Sequence, residues 1–206
     1  ADETIEDDDR PTARTVVELV GGRGWSRERA EAALLRDICR WSPVPVNLDG
    51  DRISFGMAAE SWALREPLAG GLEGVGGLLT ENRPGRVVVL QHGVVLTERT
   101  TDAMPRGCLA VVDGGALRTD VSRREPVDDA AFATVMHEAC AAARRAMLRA
   151  GAALGEAAHT MPSWLPAALR ATLAAAGPWR HQGDAFVAAL AGLPLWRRAD
   201  GGVTTI

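Results

Sequence analysis

Lysine and tyrosine are missing from this chain, and no apolar run reaches the length needed to cross a membrane. All 23 basic residues are therefore arginine. Arginine, alanine and glycine dominate together, which is the residue usage expected of a GC-rich genome rather than the mark of an arginine-built binding surface. The net charge of −4 argues against a nucleic-acid footprint, because phosphate binding calls for a basic surface. There are only three cysteines, Cys39, Cys108 and Cys140, scattered along the chain. Their odd number and spacing argue against a disulfide framework and lead us to expect reduced, buried thiols in a cytoplasmic protein. The opening residues lack the pattern of a secretory signal. No glycine-rich turn is followed by Lys and Ser/Thr, which excludes a P-loop, and no Ser sits in a G-x-S-x-G turn.

What is present suits a folded domain. Nearly half of the 206 residues are apolar, enough to bury a core, and the charges are mixed in sign. The chain opens on Ala1 and an acidic run to Arg10 and Pro11, which reads as a solvated linker over residues 1–12. It closes on Gly201-Gly202-Val203-Thr204-Thr205-Ile206, which reads as a turn entering a truncated strand whose partner is missing. Both ends lead us to expect an internal piece of a larger protein. The alternative is a short protein with frayed ends.

Local patterns predict the elements. Thr15–Val20 is a β-branched run stopped by Gly21-Gly22, hence a strand. Ser26 is placed to cap a helix with Glu28 in its first turn, and Leu34, Ile38 and Trp41 recur at helical spacing up to the break at Pro43. Trp41 is expected to be buried against a sheet. Val44, Val46 and Leu48 alternate into Asp49-Gly50, a hairpin signal, with Ile53 and Phe55 on the return strand. This strand and Thr15–Val20 are expected to share one sheet. Residues 70–77 are rich in glycine and read as a flexible connector. Strands follow at Arg86–Gln91, Val94–Leu96 and Gly107–Val112, the last closed by Asp113-Gly114-Gly115. The strongest helix runs from Asp128 to Arg149 with an apolar stripe of Phe132, Val135, Met136, Ala139, Ala143 and Met147. Helices are expected at 163–176 and 183–192, and we place a boundary near residue 150.

Candidate chemistry is sparse. His137 and Cys140 stand three apart on one helix, a spacing that metal sites use, but no second ligand pair accompanies them, and no metal is expected. His92, His159 and His181 belong to no recognisable constellation. The sharpest feature is Asp120-Val121-Ser122-Arg123-Arg124-Glu125, between a strand end and the long helix. Two guanidinium groups there could meet a phosphate, because the planar fork of arginine binds phosphate oxygens in pairs. The alternative is a solvated loop whose arginines pair with Glu125, Asp128 or Asp129.

The stretch Val87–Leu96, then Pro105–Asp113, then Leu117–Arg123 and a helix from Asp128, resembles the middle domain of the heat-shock-protein-90 chaperones. In that family a strand pair is followed by a segment ending in V-V-D-S, an Asn-x-Ser-Arg-Glu loop and a long helix. Trp41-Ser42-Pro43-Val44-Pro45-Val46 fills the place of the family's helix-ending aromatic residue and following strand. The family's Arg-Glu is split here by Arg124, and its Leu-Gln is Pro126-Val127. Leu193–Val203 looks like a segment of large proteins with chaperone-like ATPase modules, including sacsin-type repeats.

The resemblance spans residues 13–150 and implies an α/β fold: an α+β two-layer sandwich like domain two of ribosomal protein S five, with a left-handed β-α-β crossover against the usual rule. Residues 151–206 would be a helical extension. It further implies a bacterial, cytoplasmic ATPase in which a GHKL-type N-terminal domain binds ATP with magnesium. The middle domain would couple that binding to conformational change and to protein clients or partners, with no role for nucleic acid or membrane. Arg123, or Arg124 beside it, would be the catalytic and nucleotide-contacting residue, and this piece alone would have no activity. A protein-interaction module with no nucleotide link is the alternative.

Overall fold

The computed structural model describes residues 25–115, 117–121, 125–155, 161–176, 184–193, 195–197 and 203–204. The linker over 1–12 and the strand expected at Thr15–Val20 lie outside them. The described residues make a mixed α+β fold of one five-stranded sheet, two small ladders and four α-helices.

The sheet is built from β3 (Trp62–Pro67), β4 (Glu73–Leu79), β5 (Arg86–Gln91), β6 (Val94–Thr100) and β7 (Cys108–Asp113), in the order β3-β4-β7-β5-β6. Neighbours run antiparallel except β5 and β7, which are parallel. The continuous apolar runs of β5 and β7 are explained by their central position: residues of both parities are buried, because both faces of the sheet are covered. His92 and Gly93 make the tight β5–β6 turn, as their sequence implied, with His92 at φ 54°.

One face of the sheet is covered by α2 (Ala130–Ala152). Leu78, Val87, Val89, Cys108, Ala110 and Val112 meet Phe132, Val135, Ala139, Ala143 and Met147 in one cluster. Asp129 caps the helix, its Oδ1 accepting from the Ala131 amide at 3.1 Å and the Phe132 amide at 3.0 Å. The expected stripe is therefore the buried face, with Met136 at its half-buried edge. Leu165 and Leu169 of α3 (Leu165–Ala176) and Val187 and Leu190 of α4 (Ala185–Ala191) enter the same cluster. The helices past residue 150 thus share the core of the sheet domain.

The glycine-rich stretch 70–77 is not a flexible connector. Residues 73–77 lie within β4, an inner strand paired on both sides. Its glycines are there for close approach, which a composition-based reading of punctuation misses. A Cβ on Gly76 would stand 2.6 Å from the Ala143 amide nitrogen and 2.7 Å from the Ala142 Cβ, so α2 rests directly on this backbone. A Cβ on Gly77, pointing to the opposite face, would stand 2.8 Å from the Trp62 ring.

That opposite face holds Leu79, Val88, Leu90, Leu109 and Val111 under Trp41 and Trp62. The two indoles meet edge to face at 6.5 Å between centroids. Trp41 is fully buried, as expected. It follows α1 (Trp25–Cys39), whose first residue stands one ahead of Ser26. Leu34 is 58% exposed, so the helix contributes its terminal Trp to the core rather than a full stripe. The Asp49-Gly50 turn forms as predicted, with φ of 52° and 90°. It joins β1 (Asn47–Leu48) to β2 (Asp51–Arg52) in a ladder separate from the main sheet. Ser54 follows, fully buried, its Oγ donating to the Val44 carbonyl at 2.9 Å and accepting from the Val46 amide at 2.8 Å. Ile53 is buried just past the return strand, and Phe55 is half exposed. β9 (Val203–Thr204) pairs antiparallel with β8 (Trp196–Arg197), so the closing strand does have a partner, supplied by the Leu-Pro-Leu-Trp segment just before it.

Two ionic devices tie the layers. Arg86, at the start of β5, pairs with Glu60 and with Glu98, the latter at 2.6 Å. Glu60 also takes Arg83 at 3.3 Å, and Glu98 takes Arg40, beyond α1, at 2.9 Å. On the helical side, Glu138 Oε1 accepts from the Ala69 amide and from Arg145, each at 2.8 Å, clamping α2 to the β3–β4 connection. Burial pushes the Glu138 carboxyl up, but the hydrogen bonds from Arg145 and Ala69 and the nearby charges outweigh it and hold it below the ordinary glutamate range.

Two predictions follow from these contacts. Gly76→Ala should cost about 1–3 kcal/mol, the order of an overpacked core, whereas Gly192→Ala should change stability by less than about 1 kcal/mol. At Gly192 the new Cβ meets only the Ala189 carbonyl, at 3.5 Å. Urea midpoints measure both. A carboxyl held low in the folded state stabilises above its unfolded pKa, about 4.3, and that contribution is lost as pH falls through the folded value. Glu138→Gln should therefore be less stable than the parent at pH 7 and converge on it as the pH is lowered below 4, read by thermal melts across pH.

Candidate functional site

The loop singled out by sequence leaves the end of β7 and enters α2, as the order of motifs implied. Arg123 and Arg124, with Ser122, lie outside the described residues, so the structure gives their surroundings and not their positions. Those surroundings are well tied. Thr119 and Pro126 form an antiparallel bridge. The Asp120 amide donates to the Glu125 carbonyl at 2.9 Å, and the Val127 amide to the Arg118 carbonyl at 2.8 Å. The Asp120 Oδ1 accepts from the Glu125 amide at 3.4 Å. Residues 118–121 and 125–127 thus form a closed hairpin-like neck, with Val121 fully exposed at its edge.

The neck is fixed to both layers. Leu117, buried, turns back under Gly114 through a 2.7 Å backbone bond and accepts from Gln91 Nε2 at 3.4 Å. The Glu125 carboxylate accepts from Thr97 Oγ1 and Arg99 on β6, both at 3.3 Å. Arg99 in turn lies over the Phe132 ring of α2, with its guanidinium carbon 4.8 Å from the centroid. Two of the carboxylates proposed as partners for the loop arginines also serve elsewhere: Glu125 takes Arg99, and Asp129 caps α2. Residue spacing alone does not reveal this, because Arg99 is remote in sequence and reaches Glu125 only through the sheet.

Beside the neck, at the carboxyl ends of the parallel pair β5 and β7, lies a groove of about 720 Å³. His92, Asp113 and Glu73 stand on its rim, and Leu72, Leu117 and Val135 form its apolar wall. Asp113 is a structural anchor there: its oxygens accept from the His92 amide at 3.1 Å and the Gly93 amide at 2.8 Å, holding the β5–β6 turn.

The His137–Cys140 pair splits between environments. His137 is exposed, while Cys140 is buried at the edge of the core. Among the described residues no three His, Cys, Asp or Glu side chains come together to hold a metal. His159 and His181 lie outside the described residues. Cys39, Cys108 and Cys140 are free thiols. Burial, with the neighbouring Cys140, pushes Cys108 up to about 12. Burial also pushes Cys140 up, while the Arg144 charge pulls it down, and burial raises half-buried Cys39. In the native protein at neutral pH, a disulfide reagent should label Cys39 first and Cys108 roughly a thousandfold more slowly or only on unfolding, because the thiolate is the reacting form. Rapid labelling of Cys108 without unfolding, read by peptide mass, would contradict its placement.

Among the described residues no helix is long and apolar enough to cross a membrane. No protein-family model matches the chain, and no curated protein matches it.

Proposed function

We propose that the chain is the middle domain of a heat-shock-protein-90-like ATPase, with the left-handed crossover and two-layer arrangement of the second domain of ribosomal protein S five. It would couple ATP binding by a GHKL-type N-terminal domain to conformational change and to the holding of protein clients or partners. One observation supports the reading above the others. The 118–127 excursion springs from the end of β7, the strand carrying Val111-Val112-Asp113, and leads into the long helix α2, with its neck tied to both β6 and α2. A loop whose neck is fixed in this way is suited to presenting an arginine with little reorganisation, which is what stabilising transition-state charge requires.

ATP with magnesium would be held by the N-terminal domain and would supply the transferable phosphoryl group. Gly76 and Gly77 of β4 offer no cradle for it, because they lie under α2 and Trp62. This chain's part would be Arg123, or Arg124 beside it, set near the γ-phosphate as a cation where negative charge accumulates. A bidentate guanidinium suits that task better than a point charge.

The test is turnover in the full-length protein. Arg123→Ala should lower ATP hydrolysis roughly ten- to a thousandfold, the order seen when one stabilising donor is removed, and weaken ATP binding less. The isolated chain should melt at nearly the same temperature with or without the change, and should neither bind nor hydrolyse ATP by calorimetry and phosphate release. Arg124→Ala decides which of the two acts. Wild-type turnover in both single variants and the double variant would overturn the phosphate contact. Micromolar ATP affinity of this chain alone would overturn the middle-domain reading.

A further inference from the structure

Away from the 118–127 loop, a trough of about 690 Å³ runs between α2 and α4. Its wall is largely apolar, with Ala133, Met136, Ala141, Leu148 and Phe186. The volume falls within the ~300–1,000 Å³ typical of small-molecule sites, which are apolar troughs with a few placed polar groups.

The polar group that matters is Arg144. It is half-buried on the trough wall, and its Nε is buried without a hydrogen-bond partner. Its Nη2 donates to the Ala103 carbonyl at 3.1 Å, and its guanidinium carbon lies 5.1 Å from the centre of the Phe186 ring. These contacts fix the side chain in place and do not neutralise it. Its neighbour Arg145 takes the Glu138 carboxylate, and among the described residues no carboxylate pairs with Arg144. Asp184, also on the wall, is the N-cap of α4, its Oδ1 accepting from the Phe186 amide at 2.9 Å. A cation withdrawn from water beside an apolar surface costs free energy unless an anion meets it. The Arg144 charge is felt in the trough, since it pulls against the burial that raises Cys140 on the same wall.

We infer that this trough binds a monoanionic amphiphile of the fatty-acid class, with its carboxylate on Arg144 and its acyl chain along Met136, Leu148 and Phe186. The charge left over on Arg144 and the apolar length of the trough each call for one half of such a molecule, and a guanidinium fork suits a carboxylate. The site is independent of any nucleotide role for the 118–127 loop.

The probe is laurate, kept below its micelle threshold and titrated into this chain by calorimetry. Saturable binding at one site is expected, weakened roughly ten- to a hundredfold by Arg144→Gln, the order of one charge-assisted contact. Dodecanol, the uncharged counterpart, should bind the parent chain correspondingly more weakly. Met136→Glu, which puts a carboxylate on the apolar wall, should abolish laurate binding. Should Arg144→Gln fail to fold, the parent protein still decides the matter: laurate should slow modification of Cys140 by a maleimide, read by peptide mass, and dodecanol at the same concentration should slow it less. Absence of laurate binding, binding only above the micelle threshold, equal binding of dodecanol, or unchanged affinity in a folded Arg144→Gln variant would overturn the assignment.

Discussion

The contact of α2 with the bare backbone of β4 is the constraint on which the rest of the structure depends. Where Gly76 passes under Ala142 and Ala143 there is no room for a single methyl group. The alanines of the buried helix face, Ala139, Ala142, Ala143, Ala146 and Ala150, extend that close approach along its length. Small residues on both partners bring helix and sheet together without a layer of long side chains between them. The larger residues, Phe132 and Met147, then fill the space towards the two ends of the helix. Interiors packed to this density do not deform continuously, so the axis of α2 is fixed relative to the sheet. Everything mounted on α2 inherits that position: the cap at Asp129, the Phe132 ring under Arg99, and the wall presented to α4.

β4 serves two faces at once. Gly76 opens one side to α2, and Gly77, facing the other way, opens the second side to Trp62. The indole lying there brings Trp41 to its edge, and Trp41 in turn closes the face of the sheet opposite α2. Its Nε1 has no hydrogen-bond partner among the described residues, a cost of about 1–3 kcal/mol that the burial of so large a ring offsets. The ionic chain from Arg83 through Glu60, Arg86 and Glu98 to Arg40 runs along this same side and joins the residues that flank Trp41 and Trp62. Partly exposed pairs of this kind contribute little individually. Their geometry nonetheless fixes which segments meet.

Much of the sheet and its main helix could be read in the chain. β5 and β7 were legible because central strands buried on both faces are continuous apolar runs, β6 because it follows the His92-Gly93 turn, and α2 because one stripe and its charge order agree. β4 was not, because a strand whose role is to be thin carries glycine, and glycine is also the residue of connectors. The exposed Leu34 shows the converse error: helical spacing of apolar residues marks a candidate face, and here the core takes only the Trp at its end. The closing strand was seen without its partner, because a two-residue ladder leaves almost no pattern to read. At the candidate site, the order of strand, loop and helix was legible, while its anchoring was not. The pairing of Glu125 with Arg99, and of Arg99 with Phe132, joins β6 to a loop and helix remote from it in sequence and exists only once β6 and α2 are in place.

The same fixed helix separates the neck of the 118–127 loop from the trough. The neck of the 118–127 loop rests on the N-terminal end of α2 and on β6, while the trough uses residues from Ala133 to Leu148 on the side facing α4. A molecule in the trough could reach the loop by shifting α2, but Gly76 leaves no space for the helix to slide against the sheet. α4 is held differently. It is seven residues long, meets the core through Val187 and Leu190, and touches α2 again where Phe186 lies under Arg144. Few buried contacts mean a low local cost of displacement. Filling the trough therefore changes the energetics of α4 and its neighbours before it changes those of the sheet. The neck formed by residues 118–121 and 125–127 is mounted on the rigid half, apart from α4.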